Sequence, residues 1–363
     1  MSVTHDVPSI ASHFQFQGEV SAFAPHGNGH INDTYLVTCH RDAAPVRYIL
    51  QHINRHVFRD PATVMQNIER VTAHLAAQGS GDPDGSRRTL TLVPANDGRA
   101  WYVDSGGETW RAYHFINGAR SYDTAESTQL AFQAARSFGR FQQQLASMPP
   151  PRLHETIPDF HHTPRRFAAL LQAIDADSCN RSAQAKPEIE FALAHQSITG
   201  VLLAAHLPER ITHNDTKLNN VLFDDATGEG ICVIDLDTVM PGLALYDFGD
   251  MVRTTTSPAA EDEPDTSKVR MQFPMFEALV RGYLSTAGEF LSEAEKKLLA
   301  FSGELITFEV GIRFLADYLA GDTYFKVHRA GHNLDRCRTQ FKLVESIERQ
   351  EEEMNRLVES LAG

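Results

Sequence analysis

Three polar residues in one part of the chain are of the types that phosphoryl transfer requires. Asp215 and Asn220 lie in the segment 213–220, which fits the pattern H-x-D-x-x-x-x-N, and Asp235 follows the apolar run 231–234, which predicts a β-strand. A phosphoryl group carries spread negative charge, so its transfer needs Mg²⁺, oxygen ligands for that ion and a group that orients the attacking hydroxyl. We therefore predict that Asp215 is the catalytic base and that Asn220 and Asp235 bind Mg²⁺.

Parts of the sequence resemble a known group of enzymes. The stretch 211–250 is similar to that of the aminoglycoside phosphotransferase and choline kinase group of small-molecule kinases, which share the protein-kinase-like fold. Within that group, GNGHINDTY at 27–35 and THNDTKLNNVLFD at 212–224 resemble the N-acetylhexosamine 1-kinases. The resemblance extends from about Phe23 to Phe325. It implies ATP and Mg²⁺ as cofactors, and the anomeric hydroxyl of N-acetylglucosamine or N-acetylgalactosamine as the acceptor.

A second candidate for the metal-binding aspartate lies downstream. Asp247, Phe248 and Gly249 spell the D-F-G sequence of protein kinases, but they lie farther from Asp215 than Asp235 does. In protein kinases the metal-binding Asp comes at roughly the shorter distance, directly after a short strand. We therefore assign the metal to Asp235 and predict a structural role for Asp247.

The chain length and the order of its patterns indicate two lobes. A chain of 363 residues exceeds the size at which one hydrophobic core usually keeps growing. Short alternating segments dominate the first third, and helical patterns dominate from Thr124 onward. With the resemblance, this predicts an α+β, two-lobed protein-kinase-like fold of the aminoglycoside phosphotransferase type. The nucleotide-binding lobe is β-rich and spans 1–116, and the larger helical lobe, 117–363, carries the catalytic and substrate-binding residues.

A glycine-containing turn between two predicted strands is a candidate phosphate-binding loop. Its glycines would let main-chain amides approach phosphate oxygens without interference from a Cβ atom, although such a turn is also found in plain hairpins. The resemblance favours the nucleotide role. The residues that would face the nucleotide are Gly27, Asn28, Gly29, Asn32 and Thr34. Asp33 is a candidate to accept sugar hydroxyls, with a solvated hairpin residue as the alternative.

The next predicted strand lacks a residue that protein kinases have. Gln51 stands where they place a phosphate-holding Lys, with Arg47 and Arg55 near it in the sequence. A helix is predicted to follow, because Asp60 is a good N-terminal cap. Glu69 in that helix is either the counterpart of the kinase helix carboxylate or a surface residue.

By resemblance, the segment 113–117 is the link between the lobes, whose main chain would bind adenine. Its nucleotide-binding residues would be Tyr113, His114 and Phe115. The alternative is an ordinary buried strand end.

A polar pair on a later predicted helix is a candidate for substrate recognition. Arg313 and Asp317 are four residues apart and share one side of a helix, as in many surface ion pairs. Such a pair could also donate to and accept from sugar hydroxyls, and Tyr324 beyond the helix could stack on the sugar. The resemblance favours this functional role for Arg313 and Tyr324. A single last helix is predicted over about 335–361.

Composition excludes some classes of partner. The formal net charge is −14, which argues against a nucleic-acid or acidic-membrane surface, because phosphate contacts require clustered Lys and Arg. Four scattered cysteines without a C-x-x-C pair, of which Cys232 lies in an apolar strand pattern, favour a reducing compartment. Neither a signal peptide nor a long apolar run is evident, so we expect a cytoplasmic monomer or homodimer.

These observations together predict an ATP-dependent kinase that makes a hexosamine 1-phosphate and ADP. The nearest alternative is another small-molecule kinase, acting on an aminoglycoside, choline or homoserine, since the excess of acidic residues permits a cation-binding pocket. A nucleotide-binding pseudokinase is a further alternative, motivated by Gln51 in place of the kinase Lys.

Overall fold

The computed structural model of the protein describes residues 5–27, 31–41, 44–79, 81 and 84–362. Six strands form one antiparallel N-terminal sheet in this part of the chain: Glu19–Pro25 (β1), Asp33–Arg41 (β2), Ala44–Ile53 (β3), Leu92–Val93 (β4), Tyr102–Val103 (β5) and Thr109–His114 (β6). The strand order is β1-β2-β3-β6-β4, and β5 also pairs with β6.

The two faces of this sheet carry different residues. Asp33 pairs with His52, and His52 pairs with Trp110, so these three side chains share one face. Successive residues of a strand point to opposite faces of a sheet. The residues next to Asp33, His52 and Trp110 in their strands therefore point to the second face. The residues of that second face at the same level are Thr34, Gln51 and Arg111.

The first face is covered by the chain's own N-terminal segment. Helix α1, Val7–Ala11, and Phe14 bury apolar side chains against Val37, Leu50 and Trp110 in a small separate core. Burial of this apolar surface stabilises the sheet from one side. The second face is therefore the one that is left to meet the rest of the protein.

Helix α2, Pro61–Gln78, begins where the sequence predicts it. The Asp60 carboxylate accepts hydrogen bonds from two main-chain N–H groups of the first turn at 3.2 and 3.4 Å. Glu69 is exposed on this helix, as in the surface alternative. The helix instead contacts the segment 211–250 through Asn67, which is buried and donates from Nδ2 to the Val239 carbonyl at 3.1 Å.

Helices make up most of the C-terminal part of the protein. Beyond α2, the described residues form α3 (Gly85–Arg88), α4 (Thr128–Leu145), α5 (Thr163–Ala176), α6 (Lys186–Ala194), α7 (Val201–Ala204), α8 (Ala244–Thr255), α9 (Phe273–Ala287), α10 (Glu293–Lys297), α11 (Leu299–Leu319), α12 (His332–Glu348) and α13 (Glu351–Ala362). The single last helix predicted over 335–361 is thus two helices, α12 and α13, which are separated at Arg349 and Gln350.

Five short strands run between and beside these helices: Ala119–Arg120 (β7), Arg210–Thr212 (β8), Val221–Asp224 (β9), Gly230–Val233 (β10) and Met240–Gly242 (β11). They form the sheets β10-β9-β7 and β11-β8. The catalytic segment predicted from the sequence runs through β8 to β11, so its loops are held between paired strands.

The predicted α+β architecture, with a β-rich N-terminal part and a helical C-terminal part, is confirmed. All four cysteines are free, and Cys232 is buried in its strand as predicted. Among the described residues there is no helix whose length and apolar character would let it cross a membrane.

Candidate active site

Asp215, Lys217 and Asn220 meet in the loop between β8 and β9. Lys217 Nζ lies 2.8 Å from Asp215 Oδ1, and Asn220 Nδ2 donates to Asp215 Oδ2 at 3.2 Å. Burial disfavours the charged form of Asp215, but the Lys217 ammonium overrides this effect and lowers the pKa of the carboxyl. Asp215 is therefore an ionised, positioned carboxylate at neutral pH.

The conformation of this loop is held by Asp247. Its two carboxylate oxygens accept hydrogen bonds from the main-chain N–H groups of His213 (2.9 Å) and Asn214 (2.7 Å). Asn214 has a left-handed backbone, φ 64°, which lets the chain turn here. The fully buried Asp247 thus has the structural position that was predicted for it.

The rest of the D-F-G sequence packs one helix on another. Phe248 is completely buried, and a Cβ atom on Gly249 would lie 2.3 Å from the Ser302 carbonyl oxygen of α11. Only Gly allows this approach of α8 to α11. These residues therefore belong to a helix–helix contact rather than to a metal-binding loop.

His213 joins the loop that contains Asp215 to the end of β10, two residues before Asp235. Its ring is buried, and Nδ1 accepts from the Asp215 N–H at 3.3 Å while Nε2 donates to the Ile234 carbonyl at 2.9 Å. The hydrogen bond to Ile234 holds the end of β10 beside the loop. The ring thereby couples the positions of Asp215 and Asp235.

Asp235 lies two residues after the end of β10. Its backbone is left-handed (φ 60°, ψ 60°), and the residue is exposed although protein surrounds it on most sides. Burial raises the pKa of its carboxyl to about 6, and the negative charges of Asp237 and Asp215 add to this effect. A carboxyl group with this surplus of negative charge around it favours a bound cation.

Asp237 takes part in a buried network that sequence reasoning missed. Arg111, from β6, bonds both carboxylate oxygens of Asp237 through its two terminal nitrogens and donates from Nε to Gln51 Oε1 at 2.9 Å. Gln51 in turn donates to Thr34 Oγ1 at 3.0 Å, and Asn32 Nδ2 donates to Asp237 Oδ2 at 2.5 Å. A buried Arg–Asp pair thus lies next to Gln51, the residue at the sequence position of the kinase Lys.

The residues predicted in the N-terminal hairpin are divided between the two sheet faces. Thr34 and Asn32 lie on the Asp237 side, and Gly27 has a positive φ of 75° with open space around its Cα. Asn28 and Gly29 lie outside the described residues. Asp33 points to the opposite face, so the structure does not bring it to the cleft, and we remove it from the sugar site.

Part of the main chain of the predicted adenine-binding segment is hydrogen-bonded within the protein. The N–H groups of His114 and Phe115 donate to the carbonyls of Thr91 (2.9 Å) and Arg47 (3.1 Å). Tyr113 is buried, and its hydroxyl has no hydrogen-bond partner among the described residues. Its pKa is raised by burial, despite the Arg111 charge.

Arg313 contacts a segment that is hydrogen-bonded to the loop of Asp215. Its guanidinium lies over the rings of Phe160 (5.0 Å) and Phe325 (5.7 Å). The residue after Phe160, His161, makes a hydrogen bond from Nε2 to the Asn214 carbonyl at 3.2 Å. Arg313 therefore contacts a segment that is itself hydrogen-bonded to the residue before Asp215.

Asp317 does not lie beside Arg313 as a binding group, because both of its carboxylate oxygens accept hydrogen bonds inside the protein. It is buried, and it accepts hydrogen bonds from the main-chain N–H groups of residues 323, 324 and 325 at 2.8 to 3.0 Å and from Asn333 Nδ2 at 2.9 Å. We therefore replace its predicted sugar-binding role with a structural one. It holds the turn that carries Tyr324, whose surface is 58% exposed.

Three residues of the site were not predicted: Lys217, Arg111 and Asp237. The spacing D-x-K in Asp215-Thr-Lys217 is a signal that could have identified Lys217. For Arg111 no local signal exists, because its partner Asp237 is 126 residues away in the sequence.

Solved structures with a similar fold include a microcompartment-associated aminopropanol kinase, at 19% identity and a TM-score of 0.59, covering 96% of this chain and 98% of that one. An aminoglycoside phosphotransferase from Alicyclobacillus acidocaldarius matches at 13% identity and a TM-score of 0.60, and the match covers 99% of this chain and 96% of that one. A spectinomycin phosphotransferase in complex with ADP and spectinomycin matches at 14% identity and a TM-score of 0.58, and the match covers 97% of this chain and 99% of that one. These likenesses confirm the predicted kinase-like fold.

The sequence also matches a family model, described as the phosphotransferase enzyme family (APH), over residues 22–282. The match includes the glycine-containing turn, the strand that carries Arg111 and the whole catalytic segment. Because it covers most of the chain, this protein belongs to the phosphotransferase enzyme family.

Proposed function

We propose that this protein transfers the γ-phosphoryl group of ATP to the anomeric hydroxyl of an N-acetylhexosamine, which gives the sugar 1-phosphate and ADP. The observation that carries the proposal is the ionised Asp215 carboxylate, held by Lys217 and Asn220 beside Asp235. The resemblance of the segments 27–35 and 212–224 to the N-acetylhexosamine 1-kinases supports the acceptor.

In this proposal Asp215 orients the acceptor hydroxyl and takes its proton. An anomeric hydroxyl is more acidic than a simple alcohol, so a carboxylate of low pKa can serve, and positioning contributes most of the catalysis. Asp215 Oδ2 would accept the proton, since its hydrogen bond from Asn220 is long at 3.2 Å. Lys217 Nζ, bonded to the other oxygen, brings positive charge to the developing negative charge of the phosphoryl group.

Asn220 and Asp235 fit the requirements of a Mg²⁺ site. Asn220 donates its amide N–H₂ to Asp215, so its Oδ1 is turned away and accepts no hydrogen bond within the described part of the chain. An amide oxygen and a carboxylate are the hard oxygen ligands that Mg²⁺ accepts beside phosphate oxygens and water. The ion would neutralise charge on the β- and γ-phosphates.

The apparent affinity for Mg²⁺ is expected to fall as the pH drops below about 6, because a proton then competes for Asp235. The Arg111 charge opposes this protonation, while the Asp237 and Asp215 charges favour it. Well below this pKa, the affinity should fall about tenfold per pH unit. Titration of ADP binding with Mg²⁺ from pH 5 to 8 tests this expectation, and Asp235→Asn should reduce the dependence to the part that comes from the nucleotide's own phosphate, whose second pKa is about 6. An equal pH dependence in the unmodified protein and in Asp235→Asn would contradict it.

We place ATP between the two lobes, 1–116 and 117–363, against the second face of the sheet. The phosphates would lie near the Gly27 turn, Asn32 and Thr34. Because the N–H groups of His114 and Phe115 are bonded within the protein, we assign adenine recognition to the main chain of Ile116, which has no hydrogen-bond partner among the described residues.

The sugar would lie between Asp215 and the Arg313 side chain. Arg166 lies close to Arg313, and burial together with the Arg313 charge lowers its pKa. An ammonium-bearing acceptor such as choline or an aminoglycoside would meet this positive charge, whereas the neutral hydroxyl and N-acetyl oxygens of the sugar can accept hydrogen bonds from it. The exposed Tyr324 ring is available to stack on the sugar.

Arg313→Ala is expected to raise the KM for the sugar by about 10- to 100-fold, because it removes a charged hydrogen-bond donor. The KM for ATP should stay within about twofold. Steady-state kinetics with each substrate varied in turn measures both constants. Arg59→Ala is the matched control, since Arg59 is exposed in the N-terminal part of the chain. An equal effect of Arg313→Ala on both KM values would contradict the assignment.

An acceptor panel tests the proposed function as a whole. Release of ADP is measured with N-acetylglucosamine, N-acetylgalactosamine, choline, an aminoalcohol and spectinomycin, and the position of the phosphate is read by phosphorus–proton coupling in NMR spectra. The expected result is phosphate at C1 of an N-acetylhexosamine. Transfer only to the amine-bearing acceptors, or phosphate at C6, would overturn the proposal.

A further inference from the structure

Asp33 belongs to a cluster of metal-ligand side chains on the first face of the N-terminal sheet. Its Oδ2 lies 3.4 Å from His5 Nε2 and 3.6 Å from His52 Nδ1, and ligand atoms of the three residues all lie within 4.8 Å of one another. We propose that His5, Asp33 and His52 bind a divalent transition-metal ion of the Zn²⁺ class. This site is separate from the Mg²⁺ site, since it lies on the opposite face of the sheet from Asp237.

The spacings fit coordination better than hydrogen bonding. An N–H···O hydrogen bond usually spans about 2.7 to 3.2 Å, and both contacts of Asp33 exceed that range. Two ligands that each lie about 2.0 to 2.1 Å from a tetrahedral ion are about 3.3 to 3.4 Å apart. The His5–Asp33 and His52–Asp33 separations are close to this value without any movement of the chain.

The second nitrogen of His52 has the partner that metal-binding histidines typically have. His52 Nε2 lies 2.9 Å from Glu108 Oε2, and Arg55 holds the other oxygen of Glu108 at 3.4 Å. If Nε2 carries the proton toward Glu108, the lone pair of Nδ1 faces the Asp33 carboxylate. Two electron-rich atoms that face each other in this way favour a cation between them, and a carboxylate on the far nitrogen fixes the ring in its ligating tautomer.

The surroundings hold the two rings and leave the carboxylate accessible. The His5 ring packs perpendicular to Trp110 at 4.9 Å and lies 4.5 Å from the His52 ring. Side-chain exposure is 9% for His5 and 13% for His52 but 63% for Asp33. An ion can therefore enter from solvent on the Asp33 side, and a water molecule can complete a four-ligand site there.

The ion would attach the start of the N-terminal segment to the sheet. His5 precedes α1, whereas Asp33 and His52 lie on the adjacent strands β2 and β3. Metal binding to this folded arrangement raises the unfolding temperature, because the unfolded chain does not keep the three ligands together.

Titration of the chelator-treated full-length protein with Zn²⁺, followed by calorimetry and by thermal unfolding, tests the proposal. We expect one site per chain, a Tm that rises with Zn²⁺ and not with Mg²⁺, and visible Co²⁺ absorption of tetrahedral intensity. His5→Ala, Asp33→Asn and His52→Gln should each lower the affinity at least about 100-fold, and Glu108→Gln should lower it about 10- to 100-fold. Asp33→His, which supplies a different ligand at the same place, should keep binding.

Two controls separate this site from other metal-binding groups. His56→Ala removes an exposed histidine three residues after β3, and Asp235→Asn removes the proposed Mg²⁺ ligand; neither should change Zn²⁺ binding. The proposal is overturned if Zn²⁺ does not bind stoichiometrically at neutral pH, or if binding survives all three ligand substitutions. It is also overturned if binding is lost only with Asp235→Asn.

Discussion

Replacement of Asp215 by Asn is expected to lower kcat by about two to four orders of magnitude, the usual contribution of a positioned general base. Asn has the same shape, its single side-chain oxygen can still accept a hydrogen bond from Lys217, and Asn220 keeps its hydrogen bond to the main-chain carbonyl of residue 215, but Asn cannot take the proton of the acceptor hydroxyl. The affinity for ATP should change little, because the proposed metal ligands Asn220 and Asp235 remain. Steady-state kinetics with the sugar and calorimetry with ATP measure the two effects separately.

Asp175→Asn is a matched control for this substitution, because Asp175 is exposed on α5. It should leave both constants unchanged. Near-normal turnover of Asp215→Asn, with an unchanged unfolding temperature, would show that Asp215 is not the base. A loss of ATP affinity equal to the loss of kcat would instead indicate that Asp215 acts on the nucleotide.

Replacement of Arg111 by Met is expected to reduce the free energy of unfolding by about 3 to 5 kcal/mol. Arg111 and Asp237 have exposed side-chain fractions of only 1% and 4%, so the substitution leaves a buried carboxylate charge without its partner. Gln51 Oε1 also loses its donor. Denaturant unfolding followed by circular dichroism measures the change.

The matched control is Arg55→Met, on the same sheet. Arg55 is 54% exposed and its contact with Glu108 is 3.4 Å long, so its loss should cost less than about 1 kcal/mol. The double substitution Arg111→Met, Asp237→Leu should regain much of the stability, because it removes both charges. Equal effects of Arg111→Met and Arg55→Met would contradict the importance of the buried pair.

Local spacing was enough to predict that Asp215, Asn220 and Asp235 lie in one part of the structure. Asp215 and Asn220 are five positions apart in one loop, and Asp235 follows a strand that pairs with the next residues of that loop. Short-range geometry therefore leaves little freedom in their arrangement. The cap residue Asp60 and the buried thiol Cys232 were predictable for the same reason, because their surroundings are set by neighbouring residues.

Other assignments failed because they depend on distant parts of the chain. Alternation along β2 places Asp33 and Thr34 on opposite faces of the sheet, but it does not show which face meets the cleft. The N-terminal segment decides this, because it covers the first face. Helical spacing brings Arg313 and Asp317 to one side of α11, but the Asp317 carboxylate is used by the turn that follows the helix.

The sequence by itself determined which polar groups are available, since residue types and short spacings specify the carboxylate and amide of one loop, the carboxylate that follows the next strands, and those strands themselves. The tertiary structure alone decided what surrounds Gln51, because Arg111 and Asp237 come together only when β6 packs against the segment after β10. It also decided which carboxylates face the cleft. The physical reason is that a buried charge takes its partner from whichever element packs against it, and packing joins residues that are far apart in sequence.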